Sequence, residues 1–92
     1  MLFVICYDIA DDRRRRRVDK TLSGFGVRVQ ESVFEAELNE KRYIEMQRKL
    51  AKVISMQEDN VRYYRLCRSC RSAIDVMGVA FEPFEQEEIL VF

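Results

Sequence analysis

The sequence predicts an α+β sandwich, two helices lying on one face of an antiparallel sheet. Three observations carry that expectation. The chain opens on a continuously apolar, β-prone run, Leu2-Phe3-Val4-Ile5-Cys6-Tyr7; two segments show helical spacing behind capping residues; and the stretches around them alternate apolar with polar side chains. Ninety-two residues allow one small domain, spanning 1–92, with no room for a second.

The opening run reads as a central strand covered on both faces, ended by Asp8. Asp11 and Asp12 then offer N-cap carboxylates to a helix from about Arg13 to Ser23, with Val18, Leu22 and Phe25 at i, i+4 and i+7 and Gly24 and Gly26 as stops. Beyond it the apolar phase changes. Val27 and Val29 are odd-numbered whereas Phe34, Ala36 and Leu38 are even, and a single flat strand cannot switch faces. The stretch therefore holds a bulge, or two short strands meeting near Glu31–Val33. Asn39 caps a second helix from about Glu40 to Ser55, whose buried stripe is Tyr43, Met46, Gln47, Leu50, Val53 and Ile54. Val61 to Cys67 is the next strand and Ile74 to Phe81 a further short one, interrupted by Pro83. After an acidic linker, residues 82–88, the chain closes on Ile89-Leu90-Val91-Phe92, a terminal strand expected to pair with the sheet edge of a partner. This order suggests the ferredoxin-like βαββαβ plan with an extra C-terminal strand.

Composition narrows the chemistry. At 48% hydrophobic and 35% charged, the chain is a packed globular unit, not a disordered or fibrous one. It contains no His, so every mechanism built on imidazole is closed. Met1 to Tyr7 is far below the ~18–20 apolar residues of a membrane span, which predicts a cytoplasmic protein without membrane association and with reduced thiols. Net charge is zero but segregated: residues 13–28 hold Arg13 to Arg17, Lys20 and Arg28 against Asp19, while residues 72–92 carry five acids and no base. A basic face can therefore meet phosphates although the whole molecule is neutral.

Tyr7-Asp8-Ile9, Asp11-Asp12 with Arg15 and Arg17, Gly26 to Gln30, Ser32-Val33-Phe34-Glu35 and Val61-Arg62-Tyr63-Tyr64 together resemble the small CRISPR-associated adaptation proteins, the second of the Cas series, an endoribonuclease family. The resemblance spans most of the chain. It implies a ferredoxin-like homodimer in which Asp8 of both subunits faces a shared cleft. It further implies metal-dependent cleavage of RNA or double-stranded DNA, with Mg²⁺ or alternatively Mn²⁺, and partnership with the CRISPR integrase, the first of the Cas series.

Each candidate residue also has a plainer reading. Asp8 can be a strand-end carboxylate that merely caps the next helix; as a ligand it needs a second carboxylate, which a two-fold axis supplies. Asp11 and Asp12 are read as caps. Five consecutive arginines cannot share one helix face, so some are solvated or paired, but guanidinium favours bidentate phosphate contact. The nucleic-acid-binding candidates are Tyr7, Arg13, Arg15, Arg17, Arg28 and Ser32, with Arg28 on the strand face opposite Val27 and Val29 and directed toward the same cleft. Phe34 is core or dimer-interface packing. Glu31 departs from the family pattern and weakens phosphate binding at its position. Cys67-x-x-Cys70 is half of a zinc knuckle, which one chain cannot complete, or a plain turn with two reduced thiols. Two functions follow: a metal-dependent endonuclease of CRISPR adaptation with Asp8 catalytic, or a non-catalytic nucleic-acid scaffold of the integrase complex. A ferredoxin-like RNA-binding or regulatory domain is the third reading, disfavoured because the sheet lacks the aromatic patterns of the RNA-recognition fold.

Overall fold

A computed structural model describes residues 1–78. The sheet has four antiparallel strands in the order β2-β3-β1-β4, with β1 Leu2–Asp8, β2 Val27–Gln30, β3 Val33–Glu37 and β4 Asn60–Leu66. Helix α1 (Asp12–Ser23) joins β1 to β2 and α2 (Glu40–Ala51) joins β3 to β4, giving the predicted βαββαβ arrangement. A short turn of helix, α3 (Arg68–Arg71), follows β4.

Local chemistry accounts for the boundaries. Asp11 accepts from Arg14 N and Asn39 from Arg42 N, so each helix starts on a side-chain cap. The phase change resolves into a two-residue turn, Glu31-Ser32, with Ser32 at φ 65°, plus a register shift between Arg28 and Gln30. Strand alternation then assigns two faces. Phe3, Ile5, Tyr7, Phe34 and Ala36 point toward the helices and form the core with Val18, Leu22, Met46 and Leu50. Phe3 stacks on Tyr43 at 4.1 Å between ring centroids, and Tyr43 meets Tyr63 edge-on. The opposite face carries Leu2, Val4, Cys6 and Asp8 of β1 beside Val33, Glu35, Tyr64 and Arg62.

Three expectations change. Helix α2 stops at Ala51, not Ser55, because Ser55 N is drawn away to the Asp59 carboxylate; Val53 and Ile54 still pack against the core from the turn. The strand expected from Ile74 is not formed over residues 74–78. Val76 and Met77 are exposed, the latter 98%, and Gly78 takes a left-handed φ of 91°, so no sheet face is offered to them. Residues 79–81 of that segment and the terminal Ile89–Phe92 lie outside the described residues. Finally, the helices cover only one face of β1. On the other, Leu2 is buried but Val4 and Cys6 are only partly so.

Gly26 leaves no room for a side chain against the neighbouring strand. A Cβ there would stand 2.2 Å from Glu35 O and 2.7 Å from Ala36 Cβ, both in the neighbouring strand β3. Gly26→Ala is therefore expected to cost about 1–3 kcal/mol by overpacking, read as a lowered urea midpoint with unchanged m-value. A midpoint equal to the parent's would show that β2 and β3 can separate freely.

Candidate nucleic-acid interface

The five arginines do three different things. Arg14 turns inward: its Nε donates to Asp59 Oδ2 at 2.8 Å and its Nη2 to Asp59 Oδ1 at 3.3 Å and Glu58 Oε1 at 2.9 Å. Asp59, whose side chain has no exposed surface, also accepts from Ala10 N at 2.9 Å and Ser55 N at 2.8 Å. The Arg14 guanidinium and these amides hold the Asp59 carboxyl well below the usual range, and the same contact raises Arg14. Arg15 pairs with Asp12 at 2.6 Å. Arg13, Arg16 and Arg17 are exposed and, among the described residues, make no ion pair. With Lys20 they recur at i, i+3/i+4 and i+7, one uncompensated cationic ridge along α1.

A second group lies between α1 and the β2–β3 turn. Tyr7 OH donates to Asp19 Oδ1, Arg28 Nη2 pairs with Asp19 Oδ2, and the Arg28 guanidinium lies 5.7 Å over the Phe34 ring. Ser32 is anchored by its carbonyl, which accepts from Tyr7 N at 3.1 Å. Tyr7, Arg15, Asp19, Arg28, Glu31 and Ser32 line an open pocket of about 190 Å³. Burial and the Asp19 hydrogen bond raise Tyr7, and the hydrogen bond to Asp19 raises Arg28. The pocket's two arginines face two carboxylates, so its charge is internally balanced.

Asp8 stands apart from this pocket. As the residue after inward-facing Tyr7 it points to the helix-free side of the sheet, is exposed, and lies opposite Asn60 of β4. The structure thus divides the predicted set. Tyr7, Arg15, Arg28 and Ser32 come together on the helix side, with Glu31 beside them; Asp8 is across the sheet; Arg13 and Arg17 belong to the α1 ridge; Phe34 is buried in the core at 2% exposure. Asp11 is the α1 cap, as read from the sequence. From the sequence, Asp59 was not singled out, Arg16 entered only within the arginine run, and Asp19 only as an acid set against that run. A carboxylate in a helix's basic run was the available signal for Asp19; for Asp59, whose partner is 45 residues away, there was none.

Among the described residues no three His, Cys, Asp or Glu cluster as a metal site. One exposed carboxylate is a poor cage for Mg²⁺, which typically takes one or two carboxylates plus phosphates and water. The donor chemistry of Asp8 suits that ion once a second copy of Asp8 is added. Also among the described residues, no helix is long and apolar enough to cross a membrane.

Comparison with known proteins gives a consistent picture. The model of the CRISPR associated protein Cas2 family matches residues 1–74. A protein of Chloroflexus aurantiacus named CRISPR-associated endoribonuclease Cas2 1 is 41% identical over 92 residues, 99% of each chain. One of Synechocystis sp., CRISPR-associated endoribonuclease Cas2 3, is 43% identical over 77 residues, 84% of each. Among solved structures, Streptococcus pyogenes Cas2 superposes with a TM-score of 0.75 at 26% identity, covering 85% of this chain and 100% of that one. The hypothetical protein TT1823 from Thermus thermophilus superposes with a TM-score of 0.78 at 32% identity, covering 90% and 96%.

Two predictions follow from the division of charges. Asp59→Asn should lower the melting temperature more than Asp12→Asn, which removes only an exposed pair. Because folding depresses the Asp59 pKa, its contribution is present above about pH 4 and fades as pH falls below it. Acid unfolding monitored by circular dichroism should therefore be steeper in the parent chain than in the variant. For binding, each ridge arginine that contacts a phosphate carries about 0.9 of the log–log salt slope on duplex DNA. Arg13→Ala with Arg17→Ala should reduce that slope by roughly 2 units. Arg28→Ala should reduce it less, and Asp19→Asn, which uncovers Arg28, should raise affinity. Equal effects of Arg28 and the ridge would refute the distinction.

Proposed function

The chain belongs to the Cas2 family of CRISPR-associated proteins, and from that premise we propose that it is a dimeric, metal-dependent endonuclease of CRISPR adaptation, cutting phosphodiesters in RNA or duplex DNA. The observation that carries this reading is Asp8: an exposed carboxylate at the end of the central strand, on the face the helices leave open. Two-fold apposition of these open faces sets Asp8 against its copy, and the partly exposed Val4, Cys6, Val33 and Tyr64 supply apolar surface for the contact.

Within that dimer the two Asp8 carboxylates would hold Mg²⁺, or Mn²⁺ in its place; such an ion would offset phosphate charge and lower the pKa of an attacking water, a role no imidazole can take in a chain without His. The α1 ridge, Arg13, Arg16 and Arg17, grips the backbone on either side and sets its direction. Tyr7, Asp19 and Arg28 act from behind the sheet, fixing the strand end from which Asp8 projects.

A second reading rests on Asp8 belonging to no metal-ligating cluster among the described residues: the dimer is a scaffold that holds nucleic acid for the integrase, the first of the Cas series, which supplies the chemistry. One assay separates the two. Cleavage of structured RNA, single-stranded RNA and duplex DNA is measured with and without Mg²⁺ for the parent chain and Asp8→Asn. The nuclease reading expects Mg²⁺-dependent cutting that Asp8→Asn abolishes, with duplex binding retained or tightened because an unneutralised carboxylate pair repels phosphate. Cutting that persists in Asp8→Asn refutes the role of Asp8. Absence of cutting with intact binding favours the scaffold. Light scattering that returns an 11.0 kDa particle at micromolar concentration would refute the dimer on which both readings stand.

A further inference from the structure

Two thiols have no part in the reading above. Cys67 and Cys70 are both exposed and lie where the chain leaves β4. Cys67 is the extended residue immediately before α3, at φ −73° and ψ 173°, and Cys70 is the third residue of that turn. The turn is closed by Arg71 N donating to Cys67 O at 2.8 Å and Ser72 N to Arg68 O at 3.1 Å. The two cysteines stand at the ends of one closed turn, the Cys-x-x-Cys spacing at which thiol–disulfide exchange pairs operate.

One of the two sulfurs has a hydroxyl beside it: Ser69 Oγ lies 3.2 Å from Cys67 Sγ. The third cysteine, Cys6, is half-buried in β1 and is not part of this group. We propose that Cys67 and Cys70 form a reactive dithiol whose substrate is a low-molecular-weight disulfide, with Cys67 attacking and Cys70 resolving.

The exchange balances without any other reagent. The Cys67 thiolate attacks one sulfur of the disulfide, whose S–S bond breaks, and one thiolate leaves with the electron pair. Cys70 then gives its proton to solvent and attacks the Cys67 sulfur of the mixed disulfide, displacing the second thiolate. The two cysteines lose two electrons and two protons, and the substrate becomes two thiols. The Ser69 hydroxyl, with the Cys70 amide and thiol, draws the Cys67 thiol down to about 7, whereas Cys70, donating to Cys67, is raised. That asymmetry fits the order of attack.

The test uses the full chain and glutathione disulfide at pH 7, read by intact mass and peptide mapping. The parent should lose two hydrogens and show a Cys67–Cys70 disulfide. Cys70→Ser should accumulate a glutathione adduct at Cys67, and Cys67→Ser an adduct at Cys70 roughly threefold more slowly. That factor arises because a thiol near 7 is about half ionised while an ordinary one is a few per cent ionised, and the weaker nucleophilicity of the more acidic thiol returns part of the gain. Adducts on both cysteines of the parent without an internal disulfide would overturn the proposal, as would equal rates in the two variants. A pH profile of iodoacetamide labelling on the parent needs no substitution. An inflection near 7 at Cys67 supports the assignment, and one in the ordinary thiol range at both positions overturns it.

Discussion

The buried carboxylate of Asp59 is the contact on which the geometry of the interface depends. A carboxylate withdrawn from water is costly unless its oxygens are fully engaged, and here Arg14, Ala10 N and Ser55 N all converge on it. Those donors come from α1, from the loop that leaves β1, and from the turn that follows α2. One side chain therefore fixes where β1 ends, how α1 departs and where β4 begins. Asp8 and the α1 ridge take their places from that junction.

Strand alternation then separates compensated from uncompensated charge. On the helix side Arg28 lies over an aromatic ring and against Asp19, and Arg15 against Asp12, so their fields are largely spent within the chain. On α1 the guanidiniums of Arg13, Arg16 and Arg17 make no ion pair among the described residues. Asp8 is likewise left to solvent. Binding free energy for a polyanion comes from cations whose charge is still available. Tyr7 and Arg28 thus tie the end of β1 and strand β2 to Asp19 of α1, while the ridge keeps its charge available.

The terminus of β4 belongs to a different chemistry. Its two exposed thiols are set by one closed turn and by hydrogen bonds local to residues 67–70. Nothing in that group requires the cleft, and the ion pair from Arg71 to Glu37 ties α3 to the sheet independently of it.

Much of the fold was legible because it rests on local rules. Capping by Asp11 and Asn39, the i, i+4 spacing of Val18 and Leu22, and the phase change near Glu31–Val33 each concern residues within one turn or one strand, so the order of elements and the break within 27–38, though not the choice between a bulge and two strands, could be derived from spacing alone. Asp8 and the arginine run were likewise visible as residue types in a pattern. What the sequence by itself could not assign is which charges survive folding. Arg14 is indistinguishable from Arg13 and Arg16 along the chain, and only a partner 45 residues distant removes it from the ridge. The same holds for the last turn expected in α2, forfeited when Ser55 N bonds Asp59, and for the strand expected from Ile74, which has the apolar composition but no sheet face over 74–78. Local propensity is set by neighbours in sequence; ion pairing and strand pairing are set by neighbours in space, and only the tertiary structure supplies those.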